Sequence, residues 1–577
     1  MIKKLLFVAI VGIPTLAISQ IAFTNSNSKL ANSTLKSGCA IGVVDMNGDG
    51  LDDIVRLSSA TNLQIEYQTN GNFTLLNYGN IPGNNSEWGM AVADVDENGF
   101  NDIIVGGAYN GLKLLKANAS GTNYTATTLG GPSIFLQNAN FIDIDNNGTI
   151  DFFGCSDESV SSAYSNDGTG NFTIDNANLI NAISTVPSDN SGNYGSIWTD
   201  YDNDGDQDLY ISKCRLGVTN PNDGRRINLL FRNNGNGTFT EVGVAAGLVP
   251  YAQSWSASFE DIDNDGDMDC VLLNHDQSNY IYENNGDGTF TNITASTGIA
   301  SELSSIGSGG IQVIMEDFDN DTLIDLFITS RGGSHRLFRN TGNKTFAEVA
   351  SPFPTSNRIQ SAAVGDLNND GFVDVVAGFG SNYNSPSNSI SDVLYLNNGN
   401  ANHWSEILLV GNPSNINGIG ARIEIYGAWG KQIREVRSGD SYGIMNSMKT
   451  HFGLGNNTSI TQIVVKWPSG NVDTLLSPNI DESIVIVEGS TLNTNESASS
   501  MFNIYPNPTK NTIFVDGLQS SVENVYELYD ITGKMVQPKT TLSVNNNQID
   551  LNKLNTGVYF LYLYSGDKRY VHKVIKE

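Results

Sequence analysis

Seven times the chain sets acidic or amide side chains at alternate positions of a nine-residue segment, Asp-x-(Asp/Asn)-x-(Asp/Asn)-x-x-x-Asp, with starts 49 to 61 residues apart. Oxygens spaced in this way around a tight loop form the ligand set of a hard divalent cation, calcium first among them. The candidate ligands are Asp45, Asn47, Asp49 and Asp53 in loop one; Asp94, Asp96, Asn98 and Asp102 in loop two; and Asp143, Asp145, Asn147 and Asp151 in loop three. They continue as Asp200, Asp202, Asp204 and Asp208 in loop four; Asp261, Asp263, Asp265 and Asp269 in loop five; Asp317, Asp319, Asp321 and Asp325 in loop six; and Asp366, Asn368, Asp370 and Asp374 in loop seven. The seventh position adds a backbone carbonyl, so the chain offers up to seven Ca2+ sites, with affinities of about 10⁻⁴–10⁻³ M expected for an extracellular module. Loops four and five, with four carboxylates each, are expected to bind tightest. In loop six Thr322 replaces the glycine that makes the sharp turn without steric cost, and this site is expected to be the weakest.

An EF-hand loop begins in the same way but needs a bidentate acid at position twelve and flanking helices. Here position twelve is Arg56, Val105, Gly154, Ile211, Leu272, Ile328 or Ala377. The segments that follow, such as Asp208-Leu-Tyr-Ile and Asp325-Leu-Phe-Ile, are short β-branched or aromatic runs that read as buried strands. Each loop therefore joins two strands.

The formal net charge is −30, and the seven loops hold 28 of the 61 Asp and Glu and no Lys or Arg. The remaining 33 acids face 31 bases, so the acidity belongs to the loops. That distribution suits cations and argues against a nucleic-acid partner, which needs a basic stripe. Residues 1–19, with Lys3 and Lys4, an apolar run from Leu5 to Ala17 and Ala17-Ile18-Ser19, read as an export signal. No later stretch is long and apolar enough to form a transmembrane helix. Export permits disulfides among Cys39, Cys155, Cys214 and Cys270, of which Cys155–Cys214 would be the likeliest pair, but each cysteine sits in an apolar run where a buried free thiol is equally well accommodated.

A second signature follows most loops, as in Asn233-Asn-Gly-Asn-Gly-Thr-Phe239 and Asn284-Asn-Gly-Asp-Gly-Thr-Phe290, and reads as a turn between two short strands. Each repeat thus becomes strand, cation loop, strand, connection, strand, turn, strand. Four strands in about 50 residues make a propeller blade, and seven blades close a ring. These residues resemble the FG-GAP (integrin-α-like) repeat family over about residues 38–410. The resemblance implies an all-β fold whose acidic loops bind calcium on one face, with ligands meeting the other. Residues 20–410 are assigned to this seven-bladed propeller, with 20–37 either an outer strand of the last blade or a disordered leader.

Strand alternation puts the connections after each second strand on the face opposite the cation loops. These connections carry Arg215, Arg225, His275, Arg331 and His335, a candidate rim for an anionic glycan or an acidic protein, or ordinary solvated loops.

Residues 411–488, with Asn417-Gly-Ile-Gly-Ala-Arg422 and Val464-Val-Lys-Trp-Pro-Ser-Gly470, read as a small β domain and resemble the ASPIC/UnbV module. Its Arg422, Arg434, Arg437 and His451 are read as structural hydrogen-bond donors, with ligand binding the alternative. A polar linker spans 489–500. Residues 501–577, with Tyr505-Pro506-Asn507-Pro508 and Gly557-Val-Tyr-Phe-Leu-Tyr-Leu563, read as a β-sandwich-like tail. They resemble the type A sorting domain of the type IX secretion system. That resemblance implies the secretion machinery as a partner and an extracellular or outer-surface location, reached across the outer membrane. The chain has no His-Glu-x-x-His, no Gly-x-Ser-x-Gly and no phosphate-binding glycine loop. The expectation is a non-enzymatic binding or adhesion protein for a glycan or protein ligand. The alternative is a polysaccharide-acting lyase or hydrolase that uses the rim.

Overall fold

A computed structural model describes residues 21–83, 87–332, 335–350, 353–354, 357–381, 385–491, 502–518, 524–530, 534–544, 546–565 and 568–576. The export signal and residues 492–500 of the linker lie outside them.

The seven repeats form seven four-stranded antiparallel sheets. Their first strands are Ile41–Val44, Glu87–Ala93, Leu136–Ile142, Asn193–Thr199, Ser254–Glu260, Gly310–Glu316 and Ile359–Gly365. Each packs against the first strand of the next sheet, and the seventh packs against the first, which closes a ring around a central channel. Almost every residue of these strands is buried, because neighbouring blades cover both faces. Every second strand starts on the ninth residue of a cation loop: Asp53, Asp102, Asp151, Asp208, Asp269, Asp325 and Asp374. The loops are therefore strand-to-strand turns, without the helices of an EF-hand.

Blade seven lacks a fourth strand from its own repeat. Phe23–Asn25 supplies it, antiparallel to Val393–Asn397, with the Phe23 ring 5.8 Å from Phe318 and 5.6 Å from Phe353. Of the two readings of the leader, the outer strand is the one observed.

After the propeller, His403–Val410 lies between Thr450–Gly455 and Ser483–Val487, while Gly430–Glu435, Arg422–Gly427, Gln462–Lys466 and Val472–Leu476 form a second sheet. Between Gly430–Glu435 and Thr450–Gly455 the chain leaves this domain. Val436–Met448 enters the propeller channel as a hairpin and bonds to the first strand of every blade. Met445 pairs with Ile41 and Val43 of blade one (3.1 and 2.9 Å), and Ser438 Oγ donates to the Val92 carbonyl of blade two (2.7 Å). Asn138 of blade three accepts from Gly443 N–H (2.7 Å), Arg437 donates to Trp198 O of blade four (3.2 Å) and to Glu260 of blade five (2.7 Å). Gln312 of blade six donates to Tyr442 O (2.8 Å), and Ser447 N–H donates to Val364 O of blade seven (3.0 Å). The channel is thus filled by a stopper. Its polar, glycine-rich sequence suits the role, since the inner strands offer backbone groups that must be paired once water is displaced.

The C-terminal residues form two further sheets around a separate core that includes Phe502, Ile513, Leu528, Leu561 and Val574. All four cysteines are buried free thiols; of the two readings of the sequence this is the one observed, and Cys155 and Cys214 are not paired.

Candidate metal centres on one face and a rim on the other

The loops share one hydrogen-bond plan. The first aspartate closes the turn: one of its oxygens accepts the N–H of the sixth residue, at 2.7 Å in loops one and seven and 3.1 Å in loop four. The ninth aspartate ties the loop to the blade. Asp208 accepts from Tyr201 N–H (3.2 Å) and from Asn233 N–H at the end of the third strand (2.6 Å), and the ninth residue of each other loop makes the equivalent pair of bonds. Thr322 in loop six takes the backbone conformation of glycine (φ +87°), and its N–H reaches Asp317 at 2.8 Å. The threonine expected to weaken this loop therefore leaves its turn intact.

Carboxylate oxygens converge to within 4.8 Å of one another in Asp94/Asp96/Asp102, Asp143/Asp145/Asp151, Asp200/Asp202/Asp208, Asp261/Asp263/Asp265 and Asp317/Asp319/Asp325. Loops one and seven form no such acidic triad among the described residues. There the third position is Asn47 or Asn368, whose side-chain oxygen accepts the N–H of Asp49 (3.0 Å) or Asp370 (3.1 Å) in its own turn. Asparagine at position five, as in loops two and three, leaves the triad in place. Oδ1 of Asp96, Asp200, Asp202 and Asp319 is buried without a hydrogen-bond partner. Burial pushes Asp143 up to about 6 and Asp94, Asp200 and Asp261 up to about 7. Buried, converging, partnerless carboxylate oxygens are the donor set a hard cation satisfies, so these residues fit calcium.

Basic side chains not anticipated from the sequence also reach these loops. Arg339 bridges Asp319 (2.6 Å) and Asp321; Lys344 pairs with Asp263 (2.6 Å); and Lys116 pairs with Asp96 (3.1 Å). All three come from third strands or the turns after them. Strand alternation puts those turns on the cation face, and this was the available signal.

On the opposite face the expected rim residues meet different fates. Arg215 is held by Asp157 (3.1 Å) and Glu158 (3.6 Å), and Arg225 by Asp223 (2.8 Å) and Asp189 (3.4 Å). Arg331 lies 5.1 Å over the Trp255 ring. His275 stacks on the other side chain of this group, Trp255, at 4.1 Å, with Nε2 2.8 Å from Gly310 O. His335 is 2% exposed, with Nδ1 accepting Ser330 N–H and Nε2 2.7 Å from Asn357 O. Both histidines fasten backbone, and neither is offered to a ligand in this arrangement. Arg215 and Arg225 are neutralised by acids, so the rim is not the bare cationic surface that an anionic glycan would favour. What the sequence reading missed is an aromatic cluster at this mouth: Trp88, Tyr194 and Trp255 around Tyr442 at the stopper tip. Tyr109 (50% exposed) and Leu216 (93% exposed) stand on the blade-two and blade-four connections of this face, with Tyr109 bonded to Glu158 of the blade-three connection between them, which in turn pairs with Arg215.

Arg422 and Arg437 are interior structural donors, as expected from the sequence: Arg422 pairs with Glu435 at 2.9 Å, and Arg437 with Glu260 at 2.7 Å.

Family comparison matches FG-GAP-like repeats at residues 45–105, 216–272, 261–327 and 317–377, an ASPIC and UnbV domain at 411–493, and a secretion system C-terminal sorting domain at 503–577. Cartilage acidic protein 1 of Mus musculus is 27% identical over 263 residues, 42% of this chain and 38% of that protein. Its Xenopus tropicalis counterpart is 28% identical over 266 residues, 43% and 39% of the respective chains. The chain thus spans less than two-fifths of the length of these relatives. Among solved structures, a lectin of Agrocybe aegerita described as recognising non-reducing terminal N-acetylglucosamine aligns with a TM-score of 0.38 and 16% identity, over 59% of this chain and 88% of that one. No described helix is long and apolar enough to cross a membrane.

Proposed function

From a chain that carries FG-GAP-like repeats, an ASPIC and UnbV domain and a secretion-system sorting domain, we propose an exported, calcium-stabilised β-propeller whose work is binding or adhesion, with a protein or glycan as ligand. The sorting domain supports export by the type IX route to the cell surface or beyond. The observation that carries the reading is the asymmetry of the two faces. Elements of the C-terminal domain lie over the cation loops, with Arg422 donating to Asp200 O and Gly455 N–H to Asn320 O (2.7 Å). The other face keeps Tyr109 exposed on a short loop and Leu216 on the long connection between Lys213 and Leu229. Gln253 pins the Leu216 loop by donating to Arg215 O and Val218 O, each at 2.8 Å. A pinned loop that presents an apolar tip next to a charged pair is a ready contact surface, because little entropy is lost when it is covered. A lyase or hydrolase worked by rim histidines draws no support from the geometry, since His275 and His335 are turned to backbone.

The test is a glycan array and a capture screen against extracellular proteins, with the mature chain and the double variant Tyr109→Ala/Leu216→Asp. Binding that the double variant loses supports this reading. Turnover of an acidic polysaccharide by the wild-type chain would replace it with the enzymatic one.

A further inference from the structure

The cation loops do not form a free surface: the domain that follows the propeller touches every one of them. Asn417 Oδ1 accepts the Asp94 N–H of loop two (2.8 Å), and its Nδ2 donates to Asn101 (3.0 Å). In loop one, Asp52 accepts from Ser447 Oγ (2.8 Å) and lies 3.6 Å from Lys449 Nζ. In loop four, Arg422 donates to the Asp200 carbonyl and the Asn203 side chain. In loop six, the Asn320 carbonyl accepts Gly455 N–H at 2.7 Å, and Asn320 Oδ1 lies 2.6 Å from His451 Nε2. Loops three, five and seven are covered closely enough that a methyl group on Gly148, Gly266 or Gly371 would strike Pro413, Lys431 or Trp404.

The same domain sends the stopper through the channel. The two structures share residues: Ser447 ends the stopper and holds loop one, while Arg437 in the stopper shares Glu435 (3.0 Å) with Arg422, which holds loop four. Stopper, covering domain and loops are therefore one hydrogen-bonded body. A cation that fixes the loop backbone fixes the carbonyls and N–H groups onto which this domain docks. A docked domain in turn holds the loops in their ligating shape.

We propose that cation binding in the loops and seating of the stopper are thermodynamically linked, so that calcium fastens the domain after the propeller to the propeller and the seated domain raises calcium affinity. The inference rests on the reading that the loops hold calcium. Linkage is reciprocal, so it can be tested from either side.

From the metal side, hydrogen exchange of residues 436–448 is followed in the mature chain with calcium and with chelator. The expected result is a clear gain in exchange across this segment on chelation, ahead of the first strands of the blades. From the domain side, calcium alone is titrated calorimetrically into the wild type, Gly443→Ala and Asn417→Ala. Gly443 has φ +66°, and a methyl group there would lie 2.4 Å from Trp88 O, so Gly443→Ala unseats the stopper tip far from any loop. Asn417→Ala removes two docking bonds without touching the stopper and decides the matter if Gly443→Ala fails to fold. Both are expected to lower calcium affinity several-fold, within the usual range of coupling between sites. If the wild type takes up no calcium, the metal reading itself falls. If it takes up calcium, but 436–448 exchanges equally with and without it and folded Asn417→Ala titrates as wild type, the linkage is overturned.

Discussion

The third and ninth aspartates of a loop look alike in sequence and do different work. Both oxygens of Asp208 accept backbone N–H groups, whereas Oδ1 of Asp202 is buried with no partner. Asp208→Asn would set an amide donor against a backbone donor and cost about 1–3 kcal/mol with or without metal. Asp202→Asn would cost stability only when calcium is present. Thermal melts in calcium and in chelator separate the two: in chelator Asp208→Asn should melt below wild type and Asp202→Asn at or above it. His275 gives a pH signature. Burial pushes it down to about 4 against the opposing hydrogen bond to Gly310 O, so between about pH 6.5 and 4 the unfolded chain takes up a proton that the folded chain does not. Stability should therefore fall as pH drops through that window, by on the order of 3 kcal/mol from this one residue. Denaturation of His275→Gln at pH 7 and pH 4.5 should show a correspondingly smaller loss than wild type. The aspartates were legible because their spacing repeats. The acids that neutralise Arg215 and Arg225 were not, because which acid an arginine meets depends on how irregular connections fold, and no periodicity encodes that.

Among the elements, the inner strands and their turns were readable because each blade restates one pattern of buried run, acidic loop and Asn-Gly turn. Two elements broke from it for physical reasons. The closing strand Phe23–Asn25 is three residues long and carries no motif, and only the vacant edge of blade seven makes it a strand. The stopper, with its Ser438-Gly-Asp-Ser441, reads in sequence with the rest of 411–488 as part of the small β domain, and it is instead buried in the propeller because seven inner strands supply partners for its polar groups. The closing strand should matter out of proportion to its length, since an unpaired edge would leave the ring open. Phe23→Ala removes a half-buried ring packed on Phe318 and Phe353 and should cost about 2–3 kcal/mol. Increased proteolysis or hydrogen exchange in blade seven, with blade three unaffected, would report it; uniform behaviour of all blades would show that the strand does not close the ring.

The whole molecule divides its labour between two faces. One carries the acidic loops, locked beneath the following domain; the other carries aromatic and apolar groups on the connections after the second strands. On the proposed reading calcium is a structural component: it would neutralise buried carboxylates that otherwise destabilise the fold, and it would hold the surface on which the domain after the propeller sits. Each occupied site adds RT ln(1 + [L]/Kd), about 2.7 kcal/mol at a hundredfold excess over Kd. Several sites together should move the melting temperature strongly. Differential scanning calorimetry of the mature chain in saturating calcium and in chelator tests this directly. The account predicts a rise of at least about 5 °C with calcium, with propeller and C-terminal domain melting together. Superimposable thermograms in the two conditions would contradict it.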